Sequence, residues 1–330
     1  MIVYSALSFT GSGDELLVMG SDGELTIQVK VGAMVDDPGV VLVPGKPLLA
    51  WLNAIDEGEV ILSDDGTGSL RVELAGSAPY SFRTIEGTFP KAPKLAGSAV
   101  KADMSHLGEA IGAIRSAVDK DHKAVQLVSR GSLLKINATD SYRLGQAVLD
   151  GAGFGEFAGL VPLSLLDLIG GDVDTVVTDG AGRVLEMRSA KVIYTSRLLS
   201  DTAFPAVESV LGNIPPVKAV LPAGATRRAL GRLGSVAGAD PVWCTLDDSE
   251  LVIEVSGSQL GSGTEKIKVV SGPSAPFSFG INPTYFSEAL AYKSEVFSLS
   301  YTEPRAPLFL TFSGEIAVTL AVMPVTPAGH

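Results

Sequence analysis

The apolar and polar positions of this 330-residue chain repeat one pattern three times. In each copy a proline begins a short apolar stretch with helical spacing, in residues 43–52, 161–169 and 281–290. Proline is tolerated in the first turn of a helix because its missing N–H would have no partner there. The prolines that begin these stretches lie 118 and 121 residues apart. Since such a period has the size of a domain, it predicts three homologous domains.

Two runs of alternating apolar and polar residues follow each predicted helix. Alternation with a period of two is typical of strands with one buried face, and turn residues such as Asp64 and Gly66 separate the two runs. Each pair of runs is therefore predicted to form a β-hairpin. The pairs are 59–63 with 69–74, 173–177 with 183–187, and 295–299 with 307–311.

A second part of each copy precedes this helix. Residues 14–22 match residues 132–140, again 118 residues away, and 250–255 supplies a similar strand in the third copy. A further helix is predicted upstream of this part, at 105–115 and at 225–233. Subtracting the period of 118 residues from the helix at 105–115 gives positions before the first residue. The first copy is therefore expected to lack its opening strand and helix. Either the protein is truncated there or the given start is too late.

Each copy thus combines helices with antiparallel strands, which is typical of the α+β class. Loop-like segments with proline, near residues 93–95 and 213–216, separate the copies. The predicted domains are 1–96, which lacks its opening strand and helix, 97–214 and 215–330.

Composition limits the classes of function. Apolar runs are short, so no membrane span of about 20 residues is expected, and the first residues have no basic segment of the kind that begins a signal peptide. The single cysteine, Cys244, excludes an internal disulfide and fits a reducing cytoplasm. One cysteine and three scattered histidines argue against a zinc site, and no cofactor is expected.

The net charge of −12, taken alone, argues against binding to nucleic acid. Binding depends, however, on where the charges lie. Arg227, Arg228 and Arg232 share one predicted helix, and no acidic residue lies between 225 and 237. Three charges on a helix often form only a solvated face. Here the acidic residues gather in the predicted strands and turns, which favours a phosphate-binding surface that is independent of base sequence.

Three local motifs carry a resemblance to a known family. They are residues 138–144 (Ala-Thr-Asp-Ser-Tyr-Arg-Leu), the Phe-Pro pairs at 89–90 and 204–205, and residues 322–325 (Val-Met-Pro-Val). With these motifs in this order within the threefold repeat, the chain resembles the bacterial DNA polymerase III beta subunit, the beta sliding clamp, over essentially its whole length. A cellular and a phage source both remain open.

The resemblance implies a head-to-tail homodimer whose helices line a pore and whose antiparallel sheets lie outside. Such a ring encircles double-stranded DNA without reading its sequence. It tethers the DNA polymerase catalytic subunit and other proteins that carry a clamp-binding motif, and a clamp loader places it on DNA. The chain would then be a non-catalytic processivity factor of the cytoplasm.

The resemblance also assigns residues to three sites. For ring closure, Tyr80 and Phe82 on a domain-one strand would meet Ser235 and Val236, which would follow the arginine-bearing helix. The peptide pocket, which would lie between the second and third domains, comprises Thr139, Arg143, Leu144, Pro205, Val210, Asn282, Tyr285, Val322, Met323 and Pro324. The DNA-facing residues would be Lys101, Arg115, Arg197, Arg227, Arg228 and Arg232.

The chain departs from the family at three places. Ser141 and Tyr142 stand where glycine and histidine are usual, and Ser209 stands where a basic residue is common. Residues 326–330 follow the Met-Pro at which the family usually ends. These differences bear on which peptides bind more than on the fold.

Two alternatives stay open at this stage. The chain could be a clamp-like decoy or regulator that binds clamp partners without loading on DNA, as the missing first helix and the acidic balance suggest. It could also be an enzyme with an unrecognised site, although the sequence shows no cluster of histidine and cysteine and no acid pair at a spacing useful for catalysis. Retention on circular but not on linear DNA would separate a working clamp from a decoy, and nuclease and polymerase assays would test for an enzyme.

Overall fold

The computed structural model describes residues 4–64, 66–95, 97–179, 181–200 and 202–325. The predicted C-terminal extension, residues 326–330, lies outside the described residues.

Short strands dominate the chain, and helices interrupt them at intervals. The first elements are β1 (Ala6–Ser12), β2 (Glu15–Ser21), β3 (Leu25–Gly32), β4 (Gly39–Pro44), α1 (Gly45–Leu52), β5 (Val60–Asp64), β6 (Ser69–Leu74), β7 (Tyr80–Arg83) and β8 (Val100–Lys101). Next come α2 (Leu107–Ile114) with a 3-10 turn (Arg115–Ala117), β9 (Ala124–Arg130), β10 (Leu133–Thr139), β11 (Arg143–Asp150), β12 (Phe157–Pro162), α3 (Leu163–Leu166), β13 (Thr175–Thr178), β14 (Val184–Arg188), β15 (Val192–Arg197) and α4 (Val207–Leu211). The last are β16 (Val217–Pro222), α5 (Ala223–Ala237), β17 (Val242–Leu246), β18 (Glu250–Ser258), β19 (Gly261–Lys268), β20 (Phe277–Ile281), α6 (Pro283–Ala289), β21 (Val296–Ser300), β22 (Leu308–Phe312) and β23 (Ala317–Val322).

The predicted hairpins are confirmed, because β5 pairs with β6, β13 with β14, and β21 with β22. The helices after the prolines are also present, but the second is shorter than the predicted 161–169. It is the single turn α3, since Pro162 precedes it and Gly170 and Gly171 soon follow, and glycine disfavours helix. The repeat is regular, because β1 to β4 and β9 to β12 correspond at an offset of 118 residues.

Two eight-stranded sheets each combine strands from different predicted copies. One has the order β4-β1-β2-β3-β15-β14-β13-β8, and the other has the order β12-β9-β10-β11-β23-β22-β21-β16. At the two junctions β3 pairs with β15, and β11 pairs with β23, both antiparallel. Two smaller sheets have the orders β19-β18-β17-β20 and β5-β6-β7. Helices beside antiparallel sheets confirm the predicted α+β class.

The chain divides into two compact units. The first contains the residues up to Lys101 together with Asp172–Leu198, and the second contains Ala102–Gly171 together with the residues from Leu199 onward. Each unit holds one eight-stranded sheet, so the division follows shared sheets. The three-domain boundaries at 96 and 214 stay a prediction.

The cores follow from the alternation in the strands. In the first unit Phe9, Val43, Leu48, Leu70 and Val72 form a buried apolar cluster. In the second unit fully buried side chains come from both strands and helices, among them Leu134, Ile136, Phe286 and Phe312. No helix among the described residues is long and apolar enough to cross a membrane.

Candidate functional site

The three distant segments of the predicted peptide pocket meet within the second unit. Strand β11 begins at Arg143, which lies opposite Val322 of β23. The backbone N–H of Met323 donates a hydrogen bond to the carbonyl of Tyr142 at 2.9 Å. These pairings fix the end of β23 beside the turn that precedes β11, although about half the chain separates them in sequence.

Arg143 is the centre of the polar part of the predicted peptide pocket. Its side chain is only 5% exposed, and its Nε and Nη2 atoms donate to Asp140 Oδ2 at 2.9 and 2.8 Å. A third donor, Nη1, contacts the Glu288 carboxylate on α6. The guanidinium carbon lies 4.1 Å from the centre of the Tyr285 ring, within the range of a cation–π interaction. Arg143 therefore connects the β10–β11 turn to α6.

The turn that carries Arg143 is held by its own side chains. Asp140 Oδ1 accepts the N–H groups of Tyr142 and Arg143 at 3.0 and 2.7 Å, and the Thr139 hydroxyl donates to the Arg143 carbonyl at 2.8 Å. Ser141 has a φ of 73°, a left-handed conformation that favours glycine. Serine at this position therefore keeps the same turn as glycine would, but its left-handed backbone conformation costs free energy.

Two aromatic rings stand beside this turn. Tyr142 is 61% exposed, and its ring centre lies 6.1 Å from that of Tyr285. The start of α6 positions Tyr285, because Asn282 Oδ1 accepts the N–H groups of Thr284 and Tyr285 at 2.9 and 3.2 Å as an N-cap. Tyr142, a departure from the family pattern, therefore places an exposed aromatic side chain beside the predicted peptide pocket.

An apolar cluster lies next to these groups. Leu144 packs in it with Phe309 and Ala321 of the sheet and with Val207 and Val210 of α4. Phe204 and Leu211 are half-buried against it, and Pro205 is exposed at its edge. Val207, Leu211 and Phe309 were not identified from the sequence. The spacing of 207, 210 and 211 after the second Phe-Pro is a helical signal that could have identified the first two.

The C-terminal members of the peptide pocket differ in exposure. Met323 is 42% exposed, and Pro324 is half-buried. Val322, which was predicted to belong to the peptide pocket, is fully buried, so its side chain has no surface accessible to a ligand. Met323 is thus the flexible apolar side chain that this segment offers at the surface.

Helix α5 carries the predicted DNA-binding arginines on one face. Its buried side chains include Ala229, Leu230 and Leu233, whereas Arg227, Arg228 and Arg232 are exposed. Arg232 is nevertheless paired, because its Nε and Nη2 atoms contact the two Glu265 carboxylate oxygens on β19 at 2.7 and 2.8 Å. The helix carries no acidic residue between 225 and 237, but the neighbouring strand β19 supplies one that pairs with Arg232.

Two other predicted DNA contacts also have acidic partners. Arg115 donates to both oxygens of Asp167 at 2.7 and 2.8 Å, and Lys101 contacts Asp174. These hydrogen bonds lower the pKa of Asp167 and of Asp174, just as Arg232 lowers the pKa of Glu265. Each carboxylate thus remains ionised and neutralises its cation. Among the described residues Arg197, Arg227 and Arg228 have no such ion pair.

The residues predicted for ring closure lie on edge strands and on a helix. Tyr80 and Phe82 are on β7, the last strand of the β5-β6-β7 sheet, and Tyr80 is 53% exposed. Ser235 and Val236 do not follow the arginine-bearing helix, as predicted, but lie in its last turn, because α5 continues to Ala237. The Ser235 hydroxyl donates to the Arg232 carbonyl at 2.7 Å, which satisfies the hydroxyl within the helix.

Comparisons with known proteins give a consistent result. No family model matches the chain. The chain is 25% identical to the beta sliding clamp homolog GriR of Streptomyces muensis over 310 residues, which cover 87% of this chain and 80% of that protein. It is 25% identical to the beta sliding clamp of Micrococcus luteus over 251 residues, 71% of this chain and 79% of that protein.

A solved structure has the same fold. The Helicobacter pylori beta clamp bound to a DNA ligase peptide matches with a TM-score of 0.84 and 17% identity, over 98% of this chain and 92% of that chain. The resemblance and the clamp fold predicted from the sequence are confirmed.

Proposed function

We propose that this chain, a homologue of the bacterial beta sliding clamps, is itself a sliding clamp of DNA replication. As a homodimeric ring it encircles duplex DNA and tethers the DNA polymerase and other partner proteins through the peptide pocket. It is a processivity factor without chemistry of its own, and it acts in the cytoplasm after a clamp loader has placed it on DNA.

The convergence of the peptide pocket carries this proposal. Segments at 139–144, 204–211, 282–288 and 322–324 lie against one another in the second unit, with an apolar cluster next to an arginine held by two carboxylates. Exposed Tyr142 and Met323 are joined by a backbone hydrogen bond, two residues from the paired Leu144 and Ala321 of this cluster. A mostly apolar surface with a few fixed polar groups suits a short peptide with an apolar end, as does the likeness to a clamp that binds a DNA ligase peptide.

A decoy that does not load on DNA is the second candidate function. One observation favours it: Lys101, Arg115 and Arg232 are neutralised by carboxylates, which weakens their attraction for phosphate. Loading the protein on nicked circular DNA and then cutting the circle separates the two functions. A clamp stays on the circle and leaves the linear product, whereas a decoy binds clamp-binding peptides but is retained on neither.

Met323→Ala tests the peptide pocket. Truncating this side chain removes an adaptable apolar contact, and we expect a loss of about 1–3 kcal/mol in peptide affinity, the usual scale for a residue at the centre of an interface. Isothermal titration with a polymerase-derived clamp-binding peptide measures the change. Met34→Ala, at an equally flexible and 89% exposed methionine of the first unit, is the matched control and should bind as the parent does. Unchanged binding by Met323→Ala contradicts this placement of the peptide pocket.

Replacing Arg227 and Arg228 by glutamate tests the DNA-facing surface. Both are exposed on α5 and, among the described residues, neither has an ion pair, so both are available to phosphate. We expect weaker loading and a salt dependence whose logarithmic slope falls by about 0.9 for each lost phosphate contact. Arg305→Glu, an exposed arginine of the β21–β22 connection, is the charge-matched control. Conversely, Glu265→Gln removes the negative charge that pairs with Arg232 and should strengthen retention of the protein on DNA. An unchanged slope in the double variant would count against this surface.

A further inference from the structure

One histidine and two glutamates converge on the surface of the second unit, apart from the sites described above. The Nδ1 atom of His106 lies 3.4 Å from Glu109 Oε2 and 3.9 Å from Glu315 Oε2. One ligand atom from each of the three residues lies within 4.8 Å of the others, and we call the three residues the histidine–glutamate cluster. Among the described residues it is the only group of three or more histidine, cysteine, aspartate or glutamate side chains that converge in this way.

Two separate segments bring the histidine–glutamate cluster together. His106 immediately precedes α2, and Glu109 lies three residues later in its first turn, so both side chains stand on the same exposed side of the helix. Glu315 lies in the β22–β23 turn, where the neighbouring Ile316 is 1% exposed and anchors the turn in the core. Helix α2 packs against β23, which fixes the two segments beside each other. No local pattern links segments so far apart in the chain, so the sequence did not predict this convergence.

Tyr292 orients the carboxylate of Glu109. Its hydroxyl donates to Glu109 Oε1 at 3.2 Å, and the other oxygen, Oε2, faces His106. The Tyr292 ring packs edge-on against the buried Phe312 at 5.6 Å. Its hydroxyl stands against Gly314, where a Cβ atom would lie only 3.2 Å away. A hydrogen bond to the outer oxygen of a carboxylate is the usual means by which proteins orient a metal ligand.

The charge of the histidine–glutamate cluster favours a cation. Among the described residues neither Glu109 nor Glu315 forms an ion pair with a lysine or an arginine. The pKa of Tyr292 is raised by its burial and then by the charges of these two carboxylates, which indicates a negative potential at this point. A divalent cation bound there would neutralise both carboxylates at once.

We propose that the histidine–glutamate cluster binds one divalent transition-metal ion, represented by zinc. One imidazole nitrogen and two carboxylate oxygens form a ligand set that suits zinc, whereas magnesium and calcium prefer oxygen ligands alone. In a tetrahedral site with ligand bonds of about 2.1 Å, the ligand atoms lie about 3.4 Å apart. The distances of 3.4 and 3.9 Å from His106 are near this value, and Glu315, whose side chain is 80% exposed, can move closer.

A second histidine shows how an ordinary surface pair differs. His122 Nδ1 lies 2.8 Å from Asp119 Oδ1, again three residues away and exposed. Among the described residues no third histidine, cysteine or carboxylate converges on that pair. His122 is therefore a matched control, because it has the same local arrangement without a third ligand.

Isothermal titration of the full-length protein with zinc chloride, after metal has been removed with EDTA, tests the site. We expect one saturable site in the parent protein. His106→Gln and Glu315→Gln each remove a ligand and should weaken zinc binding by more than about tenfold. Tyr292→Phe removes only the orienting hydrogen bond and should weaken it by about tenfold. His122→Gln should bind zinc as the parent does.

Thermal unfolding is a second measurement. Zinc should raise the Tm of the parent protein but not that of Glu315→Gln, because an ion that binds only the folded state stabilises it. Glu315 is largely exposed, so this variant retains the fold. Absence of saturable binding by the parent, or equal binding by Glu315→Gln, would overturn the proposal. Loss of binding in His122→Gln would do so as well, since the ion would then lie at the pair of His122 and Asp119.

Discussion

Arg143→Ala is expected to lower the free energy of unfolding by about 3–5 kcal/mol, the usual cost of removing one partner of a buried ion pair. The substitution leaves Asp140, whose side chain is 14% exposed, without its cation, and it removes the contact with the Tyr285 ring. Urea unfolding followed by circular dichroism measures the loss. Because Arg143 connects the β10–β11 turn to α6, binding of a clamp-binding peptide should be lost along with stability.

Three further variants separate the parts of this effect. Glu288 is half-exposed, so Glu288→Gln should cost less than about 1 kcal/mol. Arg143→Lys retains the charge but not the forked geometry, so it should recover only part of the stability. A double-mutant cycle with Asp140→Ala isolates the pair, since two residues in contact give a coupling energy that independent sites do not. Arg143→Ala within 1 kcal/mol of the parent would show that this ion pair does not organise the peptide pocket.

The second large effect is expected at the outer strand β7. Tyr80→Glu combined with Phe82→Glu should convert the proposed dimer into monomers of 34.1 kDa, because two carboxylates would oppose pairing of an apolar edge strand with another chain. Sedimentation equilibrium measures the mass. Loss of the ring should also abolish retention on circular DNA while peptide binding in the second unit persists.

The design must separate loss of dimerisation from loss of the fold. The Phe82 ring packs edge-on against Trp51 at 6.4 Å and contributes to the core of the first unit, so the double variant could also lose stability. Tyr80→Glu alone leaves Phe82 in this core and removes only the ring contact of Tyr80 with Trp51, at 5.5 Å, so it should weaken the dimer at a smaller cost in stability. Ile61→Glu, on β5 at the opposite side of the same sheet, is the control and should remain dimeric. A dimer that survives in the double variant would place ring closure elsewhere.

Features encoded in short stretches of sequence could be predicted. The hairpins β5–β6, β13–β14 and β21–β22 follow from alternation with a turn, and the exposed face of α5 follows from helical spacing. These features depend on residues within one or two turns of each other, where periodicity is informative.

Contacts between distant segments could not be predicted in the same way. The partners of Arg143 and Arg232 on other elements, Glu288 and Glu265, are 145 and 33 residues away, and no local pattern links such pairs. The pairing of β3 with β15 was also not predicted, because the edges of alternating strands are chemically alike and either edge of a sheet can accept another strand. The predicted helix ended at residue 233, but α5 continues to Ala237. It does so because Ser235 and Val236 interrupt neither the helical spacing nor the backbone hydrogen bonding.

The discontinuous first sheet constrains how the chain can be made. Strand β3 must pair with β15, yet all of β9 to β12 lies between them in the chain. At a synthesis rate of about 5–20 residues per second, β3 emerges from the ribosome many seconds before its partner exists. During that interval the backbone N–H and C=O groups on one edge of β3 are unpaired, and the valine side chains of β3 can contact other nascent chains. The high contact order of both large sheets makes folding slow, so the yield of this protein in a cell should depend on chaperones that occupy unpaired strands until translation is complete.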